Sequence, residues 1–369
     1  MIKVCVIGVR GVPLCIGGIE TICRELYPLI YQLSTDWDIT ILARNTVSEK
    51  SYTYKGIKIK VIPALTLPGL ENFVHTFVSL IYARLFLHPK LVHLHGIGPG
   101  FFSWFARLLG FKTIVTHHAQ DYLRPKWGFA GRSILRLGEI ISCIFANKVI
   151  CVSESLQIYL DQQYRFLRSK RVVIRNAGSL NFDAVQSDLT VLERMELEPK
   201  KYILAVGRLD ETKAFHELIE AYNLAQIQNY KLVIVGGGHG TTAYIRKLEK
   251  LSSDNVVFAG SFFDDDLAAI YRNAALLVNP SHMEGYCLVV AEALSANLPV
   301  LVSDIPPHRE FGLPGECFFD VGDVAALARK ISVEDYEIYY SVEASKKQML
   351  NTWQSNAEKH VQLFTEMVR

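Results

Sequence analysis

The sequence has almost no excess charge of either sign. Its 369 residues include 39 lysines and arginines and 37 aspartates and glutamates, which gives a formal net charge of +2. So small a charge creates no field strong enough to attract nucleic acid, and nucleic acid is therefore not an expected partner. Five basic residues do cluster between Arg165 and Arg175. They are interpreted either as a solvated helix end and loop or as a contact with anionic lipid.

Paired cysteines and long apolar runs are missing too. The seven cysteines are scattered and include no Cys-x-x-Cys pair, so neither a disulfide framework nor a structural zinc site is predicted. Charged or histidine residues interrupt the apolar stretches Phe73–Leu87 and Ile134–Val152, and neither is expected to span a bilayer. The short amino-terminal run Met1–Gly8 indicates a first strand and not a signal peptide. A cytoplasmic protein is predicted.

A peripheral position on the inner face of the cell membrane stays open as a refinement of that prediction. The apolar helix Phe73–Leu87 and the aromatic run Phe101–Phe105, interpreted as a loop, could contact lipid or a lipid-linked acceptor. Burial of the same aromatic side chains in a core is the alternative.

What the chain does have is length, apolar content and a repeated rhythm. Half of its residues are hydrophobic and 21% are charged, which indicates an ordered α/β protein, and 369 residues favour two domains. Short β-rich runs alternate with helical patterns up to about residue 178, and a second alternating series begins near residue 202. This rhythm predicts two doubly wound parallel sheets, because βαβ crossovers are right-handed.

Two glutamates eight residues apart follow one of the apolar runs of the second series. The run Ala274–Pro280 indicates a parallel strand, and a helix is predicted to begin near Gly285. Glu284 would then lie at the turn, and Glu292 about two turns into the helix on a similar face. Strand ends of parallel sheets bind ligands and helix amino termini attract phosphate, so the segment suits a nucleotide sugar. A helix-terminal carboxylate and a solvated helix glutamate are the alternative.

Glycine and basic residues follow two other strands of this series. Gly207 and Arg208 come after one apolar run, and Lys213 lies just before the next helical pattern. The two cations can neutralise a leaving diphosphate, a task that otherwise needs a metal ion. Gly236 begins a glycine-rich stretch after another strand, which is a weak indication of a phosphate loop. Surface cations and a flexible loop are the alternatives.

In the first half, Gly17 and Gly18 open the first long helix, where backbone N–H groups can face an anion. A strained turn without a ligand is the alternative. His117 and His118 follow a strand end, and only one of them can face a ligand because side chains alternate along a strand. No metal site is predicted: neither histidine has a partner at ligand spacing, and Asp264–Asp266 is interpreted as a helix N-cap.

Taken in order, these motifs resemble the retaining glycosyltransferases of family 4, which have the GT-B fold. The resemblance covers nearly the whole chain and is strongest from about 200 to 310. It is carried by Gly207-Arg208 with Lys213, the strand ending at Gly236, the turn Asn279-Pro280-Ser281, and Glu284 followed by Glu292. In the first half, Arg10–Pro13 with Gly17–Glu20, and Arg124–Gly128, are similar to a branch that includes bacterial rhamnosyl- and other polysaccharide glycosyltransferases.

The resemblance implies two Rossmann-like domains facing a central cleft. Residues 1–178 would bind the acceptor, 179–352 would bind the nucleotide sugar, and a helix in 353–369 would pack back on the amino-terminal domain. The resemblance also implies roles for the site residues. Arg208 and Lys213 would bind the donor diphosphate, Glu292 would bind the ribose, and Glu284 would bind the transferred sugar, with His118 near the reacting face of that sugar. Gly17 and Gly18 would lie by the phosphates, Gly236 would lie in the donor site, and backbone groups of Leu288 and Val289 would add phosphate contacts. Cys287 departs from the glycine that many members have there, but it keeps the backbone N–H.

The resemblance also implies the reaction. A sugar would pass with retention, and without a metal ion or cofactor, from a nucleotide-diphosphate donor to a glycan or lipid-linked acceptor of bacterial surface polysaccharide synthesis. Candidate donors are dTDP-rhamnose and a UDP-hexose. Two alternatives stay open: a sugar-nucleotide epimerase of the same fold, which needs no acceptor, and a catalytically silent sugar-nucleotide-binding protein.

Overall fold

The structure is a computed structural model that describes residues 1–15, 17–34, 36–44, 50–63, 70–178, 180, 182, 189–237 and 242–369, without the side chain of Arg168. The chain divides into two compact units. Unit 1 comprises Met1–Asn176 and Thr352–Arg369, and unit 2 comprises Ala177–Asn351. Each unit has a central sheet with helices packed on it.

Unit 1 contains an eight-stranded sheet in the order β3-β4-β2-β1-β5-β6-β7-β8. Every neighbouring pair is parallel except β3–β4. The strands are β1 (Ile2–Ile7), β2 (Trp37–Arg44), β3 (Tyr52–Tyr54), β4 (Ile57–Ile62), β5 (Leu91–His95), β6 (Lys112–His117), β7 (Lys148–Cys151) and β8 (Arg171–Val173). The helices are α1 (Gly18–Leu33), α2 (Glu71–Tyr82), continued by a π-helical turn Ala83–Leu87, α3 (Ile97–Gly100), α4 (Ser103–Leu108), α5 (Phe129–Phe145) and α6 (Glu154–Gln163).

Unit 2 contains a six-stranded sheet in the order β11-β10-β9-β12-β13-β14, with every pair parallel. Its strands are β9 (Tyr202–Val206), β10 (Lys231–Val235), β11 (Val256–Gly260), β12 (Leu276–Asn279), β13 (Val300–Ser303) and β14 (Phe318–Phe319). Its helices are α7 (Thr190–Arg194), α8 (Phe215–Ala225), α9 (Thr242–Leu251), α10 (Asp264–Asn273), α11 (Leu288–Ser295), α12 (Pro306–Arg309), α13 (Val324–Ile331) and α14 (Val342–Met349).

The central strands are buried on both faces, as strands of parallel sheets are when helices cover the two faces. All residues of β5, β12 and β13 are buried. The strand order reverses beside the first strand of each sheet, between β1 and β5 in unit 1 and between β9 and β12 in unit 2. At such a point, the connections that follow the two adjacent strands run to opposite faces of the sheet, and this opens a crevice at the carboxyl ends of the strands. The candidate site residues follow these strand ends or those of their neighbours.

The carboxyl-terminal helix α15 (Trp353–Val368) belongs to unit 1. Phe364 is fully buried, with its ring 5.7 Å from that of Trp37 in β2. The Asn356 side chain donates a 2.6 Å hydrogen bond to the Arg175 carbonyl. The predicted α/β architecture, with two Rossmann-like domains and a last helix on the amino-terminal one, is confirmed.

Several local predictions were wrong. The run Phe101–Phe105 is not a loop, since its last three residues begin α4. The short strand β3 and helix α6 were missed. Asp264–Asp266 form the first turn of α10 itself, where their charges favour the helix dipole, and the N-cap position is Phe263. Among the described helices, none combines the length and the apolar character that crossing a bilayer requires.

Candidate functional site

The segment after β12 starts its helix later than predicted. Helix α11 begins at Leu288 and not near Gly285, so Glu284 lies in the preceding loop and Glu292 is only about one turn into the helix. Hydrogen bonds hold this loop in a non-helical path: Ser281 N–H donates to the Asn279 side chain at 3.1 Å, and His282 N–H donates to the Thr212 carbonyl at 2.9 Å. The loop therefore runs beside the segment that follows β9.

That path brings Lys213 and Glu284 into contact. Lys213 Nζ lies 2.5 Å from Glu284 Oε1, and their side chains are 16% and 10% exposed. Burial acts to raise the pKa of the Glu284 carboxyl, but the Lys213 ammonium group and its hydrogen bond outweigh burial and lower that pKa. Glu284 is therefore ionised at neutral pH. The two charges form a largely buried ion pair at the strand-order reversal of unit 2.

The turn from β9 to Lys213 depends on close backbone approach. Gly236, at the end of β10, has φ +147°, and a Cβ there would lie 1.8 Å from the Gly207 carbonyl oxygen. Only glycine fits such an approach. Arg208 follows Gly207, and its guanidinium lies 4.0 Å from the Asp210 carboxylate with the side chain 35% exposed. The rest of the predicted glycine-rich stretch, residues 238–240, lies outside the described residues.

Glu292 has a different environment from Glu284. It is 6% exposed and accepts a 2.9 Å hydrogen bond from the Tyr271 hydroxyl of α10. Leu288 and Val289 are the first two residues of α11, whose N-cap residue Cys287 makes no side-chain capping hydrogen bond. Backbone N–H groups in a first helical turn have no acceptor within the helix, so these two are available to an anion.

One group of side chains in unit 2 has the composition of a metal site. Ligand atoms of Glu284, Cys287 and His308 all lie within 4.8 Å of one another. His308 Nδ1 donates to the Ser303 carbonyl at 2.7 Å, which leaves Nε2 as a free acceptor within the described part of the chain. The Lys213 ammonium group, however, already contacts the same carboxylate. A divalent cation would have to displace this positive charge.

The predicted anion site of unit 1 lies beside an ion pair. Gly17 is the N-cap residue of α1 and Gly18 its first residue. A Cβ at Gly17 would lie 2.3 Å from a Glu20 carboxylate oxygen and 2.6 Å from the Arg10 guanidinium, which themselves form a 3.0 Å salt bridge. A Cβ at Gly18 would meet nothing described within 4 Å. Gly18 is thus the more open of the two glycines.

The two adjacent histidines have separate roles in unit 1. His117 ends β6, is 1% exposed, and its Nε2 lies 2.8 Å from the Glu139 carboxylate in the interior. His118 is half-buried, and its Nε2 lies 3.0 Å from His95 Nδ1. Burial lowers the pKa of His118 to about 3, although the charge of Glu20 opposes this. Of the pair, His118 is the more exposed.

Sequence reasoning missed the residues behind His118. His95 and His93 occupy alternate positions of β5, so their side chains share one face of the strand, and Tyr27 of α1 hydrogen-bonds to both. The signal was present: two histidines interrupt a run of apolar residues that otherwise predicts a fully buried strand. Buried polar side chains need partners, so such histidines predict a polar network.

In unit 2, then, predicted residues lie together. In unit 2, Gly207, Arg208, Lys213 and Gly236 surround the carboxyl ends of β9 and β10, and the loop with Glu284 leads from β12 into α11. In unit 1, Gly17 and Gly18 begin α1, and His118 follows β6. The roles assigned to these residues remain predictions.

Both halves of the chain match known protein families. Residues 193–333 match the family model described as "Glycosyl transferases group 1". Residues 16–180 match the model described as "Glycosyltransferase Family 4". Together the two models account for most of the chain.

Curated relatives include three bacterial proteins whose names refer to a cps region, capsular polysaccharide or O-antigen. An uncharacterised 41.2 kDa protein in the cps region of Klebsiella pneumoniae is 23% identical over 81% of this chain and 82% of its own. The capsular polysaccharide biosynthesis glycosyltransferase CapM of Staphylococcus aureus is 28% identical over 54% of each chain. The O-antigen chain mannosyltransferase RfbU of Salmonella typhimurium is 28% identical over 58% of each chain. The last two matches thus span little more than half of those relatives.

Solved structures show the same fold. Sucrose-phosphate synthase from Thermosynechococcus elongatus superimposes with a TM-score of 0.83 at 21% identity, covering 100% of this chain and 99% of the other. HepE of Anabaena in complex with UDP-glucose has a TM-score of 0.77 at 16% identity, covering 99% of this chain and 100% of the other. The predicted GT-B fold is confirmed by these similarities.

Proposed function

The chain belongs to glycosyltransferase family 4, and from that premise we propose that it transfers a sugar from a nucleotide-diphosphate donor to a glycan or lipid-linked acceptor. The proposed setting is the cytoplasmic synthesis of a bacterial surface polysaccharide, which the names of the capsule and O-antigen relatives support. The donor remains either dTDP-rhamnose or a UDP-hexose, and the UDP-glucose bound in HepE supports the broader class of nucleotide sugars. Unit 2 is the proposed donor domain and unit 1 the proposed acceptor domain.

The observation that carries this proposal is the Lys213–Glu284 ion pair at the strand-order reversal of unit 2. An arriving diphosphate competes with Glu284 for the Lys213 ammonium group, and Arg208 adds a second cation from the same loop. Released from Lys213, the Glu284 carboxylate can accept a hydrogen bond from a hydroxyl of the transferred sugar. The pair is therefore suited to hold both parts of the donor across the bond that breaks.

The remaining predicted residues complete this donor site. Glu292 would accept hydrogen bonds from ribose hydroxyls in exchange for the one from Tyr271. N–H groups of Leu288 and Val289 would donate to phosphate oxygens. In unit 1, a contact of the Gly17 and Gly18 backbone N–H groups with phosphate stays a prediction. Gly236 allows the close approach of its backbone to that of Gly207 beside the site.

The reaction proposed is front-face transfer with retention. The departing diphosphate develops negative charge, and fixed positive groups stabilise that charge most effectively when they are in place beforehand. Lys213, Arg208 and the first turn of α11 supply such groups without a metal ion or cofactor. The acceptor hydroxyl then attacks as the diphosphate leaves, and the leaving phosphate oxygen takes its proton.

Two assays test the proposal. Thermal shifts with UDP, GDP, dTDP and ADP identify the nucleotide, because a ligand that binds the folded state raises the unfolding temperature according to its affinity. The matching nucleotide sugar is then incubated with and without acceptor glycans. Nucleotide release only with acceptor, and a product whose anomeric proton shows the donor's configuration, are expected. Release without any acceptor favours an epimerase or hydrolase, and an inverted product contradicts the mechanism.

We also propose peripheral contact of unit 1 with an anionic membrane. Large apolar side chains of α2, α4, α5 and the π-helical turn are exposed, and they are Phe77, Val78, Leu85, Phe86, Trp104, Leu108, Phe129, Ile134, Leu137, Ile144 and Phe145. Arg84 and Arg107 lie on the same elements. Such a mixture of aromatic, aliphatic and basic groups suits the interface of an anionic bilayer.

Vesicle sedimentation tests this contact with a matched pair of variants. Leu108→Asp in α4 and Leu224→Asp in α8 each place a charge at an exposed leucine, 74% and 62% exposed. With vesicles that contain anionic lipid, we expect Leu108→Asp to reduce the bound fraction several-fold and Leu224→Asp to leave it unchanged. Equal binding by the two variants would contradict the membrane contact of unit 1 but not the proposed glycosyl transfer.

A further inference from the structure

A chain of hydrogen bonds leads from the interior of unit 1 to His118. Thr116 Oγ1 lies 2.6 Å from His93 Nε2, and His93 Nδ1 lies 2.9 Å from the Tyr27 hydroxyl oxygen. That oxygen lies 2.6 Å from His95 Nε2, and His95 Nδ1 lies 3.0 Å from His118 Nε2. The His95 and His118 rings stack with their centroids 5.2 Å apart. Among the described residues, every ring nitrogen in this series of hydrogen bonds has a partner except the last, His118 Nδ1.

All three imidazoles in this chain are neutral near pH 7. Burial lowers the pKa of His93 and His95 well below the usual value, and lowers that of His118 to about 3. A neutral imidazole has one N–H donor and one acceptor nitrogen. The chain can therefore donate outward towards His118 or inward towards Thr116. A third arrangement, in which the Tyr27 oxygen accepts from both histidines, would leave the hydroxyl hydrogen of this buried tyrosine without an acceptor among the described residues.

The hydroxyl hydrogen at the inner end favours the outward direction. Within the described residues, the Thr116 hydroxyl has one partner, His93 Nε2, and Thr116 is 3% exposed. Inward donation would fill that nitrogen with a hydrogen and leave the Thr116 hydroxyl hydrogen buried without an acceptor. Outward donation gives this hydrogen its acceptor.

We propose that Tyr27, His93 and His95 are positioning residues that hold His118 as its Nδ1–H tautomer, ready to donate a hydrogen bond to an oxygen of the bound sugar. This inference rests on the proposed function, because the sugar is the ligand. His118 Nδ1 is buried and makes no hydrogen bond within the described part of the protein, so a bound oxygen would supply its missing acceptor.

The tautomer determines what His118 can do in the reaction. With Nε2 accepting from His95 and Nδ1 carrying a hydrogen, His118 has no free lone pair with which to take a proton from the acceptor hydroxyl. It orients the sugar by donating a hydrogen bond. The proton of the acceptor then passes to the leaving phosphate, as front-face transfer requires.

Nitrogen-15 NMR of the free protein tests the tautomer directly. Long-range proton–nitrogen correlations distinguish Nδ1–H, Nε2–H and doubly protonated imidazole, and loss of one set of peaks in His118→Ala assigns His118. At pH 7 we expect the Nδ1–H pattern. An Nε2–H pattern or a doubly protonated ring overturns the inference. Since no substrate is present, that result would leave glycosyl transfer standing, whereas an absence of transfer with a correct tautomer would contradict only the proposed function.

Tyr27→Phe tests the chain itself, because it removes one hydroxyl from the middle link. We expect a mixture of His118 tautomers, a several-fold lower kcat and an unchanged KM for the donor. A His118 ring that stays wholly Nδ1–H in this variant would show that the chain does not set the tautomer. If Tyr27→Phe fails to fold, Thr116→Val removes the innermost donor and is judged by the same spectrum.

Two substitutions of His118 test the donor role. The amide nitrogen of His118→Asn can occupy the position of Nδ1 and donate, whereas His118→Ala cannot. We expect His118→Asn to retain about tenfold more kcat than His118→Ala, the effect of one hydrogen bond of ordinary strength. Equal loss in both variants contradicts donation by Nδ1.

Discussion

The two units bring different chemistry to similar places in similar sheets. Unit 2 has an ion pair, Lys213–Glu284, with Arg208 nearby at the carboxyl end of β9. Unit 1 has a line of neutral histidines ending at His118, beside the carboxyl ends of β5 and β6. The fold determines where each site lies, and the side chains determine what each site can bind. Charge in unit 2 suits a diphosphate, whereas neutral hydrogen-bonding groups in unit 1 suit sugar hydroxyls.

The largest expected effect lies on the charged side of this comparison. Lys213→Ala removes a positive group that we place at the developing charge of the leaving diphosphate, and we expect kcat to fall about 10²–10³-fold. Lys250→Ala, which removes an exposed lysine at the end of α9, is the matched control and should leave kcat unchanged. Steady-state kinetics with the identified donor provides the measurement. Comparable activities in the two variants would contradict the proposed role of Lys213 at the leaving diphosphate.

A second effect concerns stability. Lys213→Met leaves the largely buried Glu284 carboxylate without its ammonium partner, so we expect a loss on the order of 3 kcal/mol in unfolding free energy. The double variant Lys213→Met, Glu284→Gln removes both charges and should recover most of that loss. Urea unfolding at pH 7 measures both variants. A double variant as unstable as the single one would show that the ion pair has no special place in the structure.

The neutral side of the comparison predicts a pH dependence. Seven histidines have a lowered pKa. Five are in unit 1, namely His75, His93, His95, His118 and His360, and two are in unit 2, namely His216 and His308. As the pH falls below about 6.5, these histidines therefore bind protons in the unfolded chain while they stay neutral in the folded chain. Stability is complete above the ordinary histidine pKa of about 6.5 and is lost as the pH falls towards 4.

His360→Gln tests one part of this dependence. His360 is 4% exposed with a pKa lowered to about 4, so its share of the loss between pH 7 and pH 5 is on the order of 1–2 kcal/mol. The unfolding free energy of the variant should fall less over this range than that of the parent chain. Parallel curves for the two proteins would contradict the neutral histidine core.

The Glu284 carboxylate behaves differently with pH. Its folded pKa is lowered, so the stability from the Lys213–Glu284 pair is present above the unfolded glutamate pKa of about 4.3 and is lost only as the pH falls through the folded pKa. The difference between the parent and the double variant should therefore stay constant from pH 7 to pH 5. A change in this difference between pH 7 and pH 5 would show that Glu284 is not fully ionised over that range.

The sequence predicted the elements better than the contacts. The alternating rhythm predicted two parallel sheets correctly, because apolar β-branched runs bounded by turns, such as those of β5 and β9, have few other interpretations. Helix α11 was predicted to begin too early. Hydrogen bonds from Ser281 to Asn279 and from His282 to Thr212 hold the loop, and no local pattern reveals a partner as distant in the sequence as Thr212. The hydrogen bonds that lead to His118 were also missed, because they join residues far apart in the sequence: Tyr27 and His95 are 68 residues apart.

The most direct test of the central claim is calorimetric titration of the chain with the nucleoside diphosphate identified by thermal shift, in buffer containing EDTA. The parent chain should bind one equivalent without any divalent cation. The double variant Arg208→Met, Lys213→Met should bind at least about 100-fold more weakly, because each charge-assisted hydrogen bond contributes about 1.5–3 kcal/mol. Equal affinities for the parent and the variant, or binding by the parent only when a divalent cation is restored, would contradict the account.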